Sequence, residues 1–315
     1  MKRRRLFGGL AAAGAAALLP GCTDSEPERP LLPLAAGEDG GVYWPLGQAL
    51  AVTLRTRWRS GTLITSGSAD NEQRLRDGRA RLAFSTVDVA DQSQTGRAPF
   101  GAKYPLRALA GLYSDYVHLV VRAQSQMRDL DGLAGRPVST GAPGSGTEIV
   151  ATRMLAAAGI TLRGFEQHRL DLHSSIAALR AGVVDAFFFS GGLPAPAVAK
   201  FVTDGDTPVR LLDLGQYLDT MRSQYGEVYA SGWIPTNAYG LSSVTTVSIP
   251  NILALPAGTG EEAAYQLTRL LFVAKPRLAR AHPEGRQLDP RSAINTYPVP
   301  LHPGAQRYYR DQKRA

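Results

Sequence analysis

The chain has 315 residues, 44% of them hydrophobic and 20% charged, the balance of a globular chain long enough for one or two domains with a sizeable core. Its formal charge is +8, but Lys2, Arg3, Arg4 and Arg5 stand in a segment that reads as removable; without those four, 31 basic residues face 27 acidic ones, a net of +4. So mild an excess, with no Lys/Arg run interleaved with aromatics, argues against a nucleic-acid binder, and the single cysteine excludes intrachain disulfides and cysteine-based metal sites.

Residues 1–22 read as a lipoprotein signal peptide. A basic start (Lys2 to Arg5) precedes an apolar stretch, Leu6 to Leu19, that is short for a membrane span. Leu18-Leu19-Pro20-Gly21-Cys22 resembles a bacterial lipobox, which implies Cys22 as the lipidated first residue and an extracytoplasmic protein anchored to the cell membrane. Pro20 departs from the small residue usual at that position, and an ordinary cleaved signal is the alternative. Arg3-Arg4-Arg5-Leu6-Phe7 is also similar to a twin-arginine signal, so the export route stays open. Residues 23–33, with three prolines and several charges, read as a flexible tether.

Leu31 to Ala36 has the pattern of a first strand. It runs through Gly40-Gly41 into a helical stretch from Leu46 to Leu54, with Tyr43 on the first turn. Leu63 to Ser66 is expected as a strand, followed by Gly67-Ser68-Ala69-Asp70-Asn71 opening a helix that closes at Gly78. Arg81 to Ser85 reads as a buried strand, and a helix follows from Val87 to Gln94. Leu106–Tyr113 and Tyr116–Val121 are expected as two strands joined at Ser114-Asp115. Pro137 to Thr140 is a short strand whose Gly/Pro loop, through Ser145-Gly146-Thr147, opens a helix to about Ala158. An amphipathic helix follows at Leu172–Ala181. The apolar strand Asp185–Phe189 ends at Ser190-Gly191, with a helix to about Phe201. Val209–Leu212, Val244–Val247 and Ile252–Leu255 are further strands, and Gly260 to Ala279 is a helix.

Strands and helices thus alternate, which predicts an α/β architecture with parallel sheets. Five junctions put small polar residues at the C-terminal end of a strand: Gly40-Gly41, Ser66-Gly67-Ser68, Ser85-Thr86, Ser145-Gly146-Thr147 and Ser190-Gly191. Ligands of open α/β sheets bind at that edge. Their split before and after residue 125 predicts two lobes facing each other across a cleft.

Several blocks carry a family resemblance. Gly40-Gly41-Val42-Tyr43-Trp44-Pro45-Leu46-Gly47, Leu106 to Arg122, Leu130 to Thr147, Asp185 to Pro196, and the tail Pro300-Leu301-His302-Pro303-Gly304-Ala305 with Arg307-Tyr308-Tyr309-Arg310 resemble the solute-binding proteins of TAXI-type TRAP transporters. The resemblance covers about residues 33 to 312. It implies a two-lobe, periplasmic-binding-protein-like (type II) fold with a ligand cleft between lobes. Lobe 1 would comprise residues 34–124 and 248–315, and lobe 2 residues 125–247, with crossings near 122–126 and 243–249. It also implies a TRAP-type membrane permease as partner, a monomer, and no enzymatic activity; a ligand sensor for a membrane histidine kinase is the alternative. Glu38 and Asp39 depart from the small residues usual in the first glycine loop, and the Phe189-Ser190-Gly191-Gly192 block is unusually polar.

No catalytic, metal or cofactor site is expected. The five histidines show no metal-ligand spacing. Gly144-Ser145-Gly146 resembles a nucleophile elbow, but Pro143 and Thr147 stand where that motif needs glycine. Gly141 to Thr147 lacks the lysine of a phosphate loop. The binding reading has the carboxylate of a small acid or amino acid meeting Ser145, Gly146 and Thr147 at a helix start. Ser66, Ser68 and Asn71 would grip its other end, with Ser85 and Asp88 nearby and Tyr43 and Tyr113 as walls. Gly41, Ser190 and Gly191 complete the set. Asp88 or Glu148 would face a ligand ammonium, although Asp88 is as readily a partner within its own helix.

Overall fold

The computed structural model describes residues 29–161 and 163–313; the signal peptide, Cys22 and the tether up to residue 28 lie outside the described residues. The first half of the elements runs β1 (Leu31–Ala35), α1 (Tyr43–Leu54), β2 (Arg59–Leu63), α2 (Ser68–Arg76), β3 (Leu82–Thr86), α3 (Val87–Thr95) and β4 (Leu106–Arg122). Then follow β5 (Pro137–Ser139), α4 (Gly146–Ala157), β6 (Glu166–His168), α5 (Leu172–Ala181), β7 (Ala186–Gly191), α6 (Pro196–Asp204), β8 (Val209–Leu211), α7 (Leu218–Tyr225), β9 (Ala230–Ile234) and α8 (Thr236–Tyr239). The chain ends with β10 (Val244–Pro256), α9 (Glu261–Val273), α10 (Lys275–Ala281) and α11 (Pro303–Gln312). No described helix is long and apolar enough to cross a membrane.

Local signals account for many boundaries. Asp171 caps α5 by accepting from Ser174 N–H at 2.7 Å, and Gly182 ends it in the left-handed conformation. Pro196 sits at the start of α6, where its missing N–H costs nothing. At the tail, His302 accepts from Gly304 N–H at 3.1 Å and donates from Nε2 to Thr259 O at 2.8 Å, seating α11 on α9.

The strands form one ten-stranded sheet, eight of them in the order β2-β1-β3-β10-β4-β7-β5-β6, with β8 added beside β4 and β9 beside β10. Pairing is parallel among β1, β2 and β3 and among β5, β6 and β7. It is antiparallel wherever β4 and β10 take part. The parallel pattern expected from the sequence therefore holds within each half, and the two long strands running the other way stitch the halves together. On β10, Thr246 and Val247 face β9 whereas Asn251–Ala254 face β3. On β4, the partner β7 begins at Tyr116.

Two departures from the expected elements meet at that level. The strands expected at 106–113 and 116–121 are one continuous strand, and those at 244–247 and 252–255 are likewise one. The polar pair Ser114-Asp115 imitates a turn, and so does Pro250-Asn251. Ser114 pairs with Pro250, and the register slips just after it, between Pro250 and Ile252; a proline inside a sheet is tolerated beside such a bulge. The β2 strand also lies earlier than expected, because Arg59 to Leu63 pair with Leu31 to Ala35.

Side chains alternate across the sheet as the two-residue period requires. Leu119 and Val121 of β4 pack with Val138 and Phe188, whereas Val120 joins Phe187 and Phe189 on the opposite face. In the first half Leu34, Leu50, Phe84 and Leu253 share a further cluster with α9 and the tail residues Tyr308 and Tyr309. His118 belongs to this packing: it is fully buried, donates from Nδ1 to Tyr116 O at 2.8 Å and meets the Tyr239 hydroxyl at 2.9 Å. Burial pushes its pKa down to about 4.

Candidate ligand-binding site

Between the halves lies a cavity of about 50 Å³, room for a few water molecules or one small polar head group. From the first half, its wall takes Gly37, Glu38, Gly41, Val42 and Tyr43 of the β1–α1 turn and Ser66, Gly67 and Ser68 of the β2–α2 turn. Tyr113 and Asp115 of β4 also line it. From the second half come Ser145, Gly146 and Thr147 at the start of α4 and Phe189, Ser190 and Gly191 at the end of β7.

Three helices begin on this wall: α1 at Tyr43, α2 at Ser68 and α4 at Gly146. Each start leaves N–H groups without helical partners and carries a partial positive charge. At the start of α4 the four donors without helical partners are the N–H groups of Ser145, Gly146, Thr147 and Glu148. Glu148 N–H donates to Ser145 Oγ at 3.0 Å and Ser145 N–H to Ala142 O at 3.0 Å; the other two belong to Gly146 and Thr147. Thr147 Oγ1 accepts from Ser190 N–H at 3.0 Å and so ties α4 to the end of β7. The halves approach closely here. Asp70 N–H donates to Gly144 O at 2.9 Å across the cleft, and Gly67, at φ 128°, would carry a Cβ 3.4 Å from the Cα of Ser145. A side chain at Gly67 meets both an unfavourable backbone conformation and a neighbour.

Ten of the expected residues therefore share one wall: Gly41, Tyr43, Ser66, Ser68, Tyr113, Ser145, Gly146, Thr147, Ser190 and Gly191. Asn71, Ser85 and Asp88 are placed behind it. Asn71 is fully buried, donates to Phe84 O at 2.8 Å and accepts from Thr65 Oγ1 at 2.5 Å, fixing the β2–α2 turn against β3. Ser85 donates to Thr86 O at 3.1 Å. Asp88 pairs with Arg153 of α4 at 3.0 Å and accepts from the Tyr229 hydroxyl at 2.8 Å, a buried ion pair that spans the two halves. Glu148 pairs with Arg169 and accepts from Gly144 N–H at 3.0 Å. Both residues expected to face a ligand ammonium are thus engaged elsewhere.

The wall also holds two carboxyl groups that the residue patterns did not single out as ligand contacts. Asp115, 5% exposed, accepts from Asn251 Nδ2 at 2.7 Å through one oxygen, while the other lies 3.5 Å from Ser190 Oγ. Asn251 in turn accepts from the Tyr43 hydroxyl, which stands 3.2 Å from Ser68 Oγ. Burial pushes Asp115 up to about 7; Glu284 and Asp88 add to the rise, and the Asn251 and Ser190 hydrogen bonds oppose it. Glu38, half-buried, accepts from Leu172 N–H at the start of α5 at 3.2 Å, and burial raises it to about 7 as well. The phenols of Tyr43 and Tyr113 are held well above their ordinary range by burial. No Lys, Arg or His stands among the described residues of the wall. Glu38 had one signal in the sequence, as a departure within the first glycine loop. Asp115 and Asn251 had none, because each is isolated in its strand.

Two α/β halves joined by a pair of long antiparallel strands, with a polar cavity at the joint, define the two-lobed periplasmic-binding-protein-like class. Within it, the chain belongs to the NMT1-like family, which it matches over residues 34–312. Solved structures agree in fold. The periplasmic aliphatic sulphonate binding protein SsuA from Escherichia coli superposes with a TM-score of 0.51 at 14% identity, covering 90% of this chain and 84% of that one. A Xanthomonas citri protein bound to ATP gives 0.53 at 16% identity, covering 89% and 98%. A structure described as a periplasmic transporter gives 0.53 at 12% identity, covering 92% and 94%. The TAXI type expected from the motifs is a finer assignment than these matches carry.

Proposed function

We propose that this protein is the extracytoplasmic solute-binding subunit of a TAXI-type TRAP transporter, which captures a small carboxylate and delivers it to a membrane permease. The supporting observation is the convergence of three helix starts, two from one lobe and one from the other, on a single small cavity between the lobes. Helix starts oriented in this way favour an anionic group, and their division between lobes lets the bound anion draw the lobes together. In this reading lobe 1 is built on β1–β3 with α9–α11 and lobe 2 on β5–β9, and the division follows the change of strand partners on β4 and β10. Ser145 serves as helix cap and ligand donor rather than nucleophile. The protein acts as a monomer, held at the membrane through Cys22.

Isothermal titration of the purified protein with small carboxylates, amino acids, keto acids and sulfonates tests the reading. One chemical class is expected to bind, and Ser145→Ala and Thr147→Val each to weaken it by roughly 1–3 kcal/mol through loss of a charged hydrogen bond. Unchanged affinity in both variants would remove the start of α4 from the site.

A further inference from the structure

The charges of the wall are unbalanced for a plain anion. Its positive potential comes from helix starts alone, whereas two acidic side chains, Asp115 and Glu38, share the same small space. A ligand carrying only negative charge would lie against both. Asp115 is built to receive a partner: Asn251, itself held by Tyr43, fixes one oxygen, and the other has only the 3.5 Å contact to Ser190 Oγ. That is long for a hydroxyl hydrogen bond, so this oxygen is available to a stronger donor.

Resting on the receptor reading above, we propose that Asp115, seconded by Glu38, receives a protonated amine of the solute, so that the site selects a small zwitterion over a plain carboxylate or dicarboxylate. The spacing supports this. Ser190 bridges the two subsites, with its Oγ 3.5 Å from Asp115 and its N–H 3.0 Å from Thr147 Oγ1 at the start of α4. An amine and an acid on the same or neighbouring carbons fit that separation. The amine gains a charge-assisted hydrogen bond and supplies the cation that this buried carboxylate otherwise lacks. Asp88 and Glu148 do not compete for it, being paired with Arg153 and Arg169.

The test uses matched solutes that differ by the amine: glutamate against glutarate, alanine against propionate, taurine against ethanesulfonate. Each is titrated calorimetrically into the wild-type protein and into Asp115→Asn and Glu38→Gln. For the pair that binds, the amine-bearing member is expected to bind at least tenfold tighter to wild type. Asp115→Asn should erase that preference and Glu38→Gln reduce it. An amine-free member binding wild type as tightly as its partner, or tighter, overturns the assignment while leaving the receptor reading intact. No binding by any member removes the receptor reading for small anions, and the assignment falls with it. The wild-type comparison decides the matter even if Asp115→Asn does not fold.

Discussion

Asn251 is the residue on which the polar wall turns. Fully buried, it donates to Asp115 and accepts from Tyr43, so one amide fixes a side chain of β4 and one of α1. Asn251→Ala takes the amide from both partners in a buried place, leaving Tyr43 with Ser68 and Asp115 with the long Ser190 contact, and an under-satisfied buried polar group costs about 1–3 kcal/mol. The variant is expected to lose stability of that order in urea unfolding and to lose ligand affinity as well, whereas a residue with a purely architectural role would change stability alone. Neither Asn251 nor Asp115 was legible as part of this polar cluster. Ser145-Gly146-Thr147 was, because capping chemistry is local and repeats in recognisable order; Ser68, expected as a cap, is instead the first residue of α2 after Gly67, and its hydroxyl accepts from Thr86 N–H. A single polar residue within a strand has no such neighbours, and its role depends on what the sheet places opposite it.

Among the elements, the same physics explains where the reading of strands failed. Ser114-Asp115 has the look of a junction between strands, and residues 248–251 fall between two expected strands, since polar and proline dipeptides usually mark turns. Here they mark the level at which two continuous strands pass from one lobe to the other. Most helices were easier, because their glycine stops and polar starts are short-range, but the single helix expected from Gly260 to Ala279 is two, α9 and α10, parted at Ala274 just before Pro276. Two element contacts are testable. The Asp88–Arg153 pair joins α3 to α4 across the lobes, with side chains 2% and 11% exposed. Removing one partner of so buried a pair strands the other, and Asp88→Asn is expected to destabilise the protein by roughly 3–5 kcal/mol. The double variant Asp88→Asn/Arg153→Met should recover part of that loss in the same urea measurement. At the tail, a Cβ on Gly304 would stand 2.1 Å from Glu261 O and 2.7 Å from Tyr265 N. Gly304→Ala must therefore push α11 off α9, and a melting temperature lowered by several degrees is expected, with the cost of overpacking about 1–3 kcal/mol.

The whole molecule responds to pH through opposed groups. Burial raises Glu38, Glu72, Asp115 and Glu284 to about 7. Folded chains then hold more protons than unfolded ones between the ordinary carboxyl range and 7, so these groups lower stability as pH rises through that window. His118, His282 and His302, lowered by burial, act in the reverse sense below their ordinary value. Glu72 isolates one contribution: it is fully buried behind the wall, and burial raises it more than the neighbouring Ser85 and Ser93 hydroxyls and Arg76 lower it. Glu72→Gln is expected to stabilise the protein at pH 8 by roughly 1–3 kcal/mol. The gain should fade by pH 5, where the wild-type carboxyl is itself protonated. Urea unfolding of both proteins at the two pH values checks the sign and the size.

The joining strands also set the order in which the molecule can be completed. β3 pairs with β1 on one side and with β10 on the other, and β10 follows β4 through β9 in the chain. The strands of lobe 2 lie together in the sequence, so that lobe can close while lobe 1 still waits for its central strand. As the chain emerges from its N-terminus, β3 holds an unpaired edge through most of synthesis, and such edges invite mispairing with other chains. The strand that brings Asn251 to Asp115 and Tyr43 is thus also the one whose late arrival ends the period of greatest exposure to aggregation.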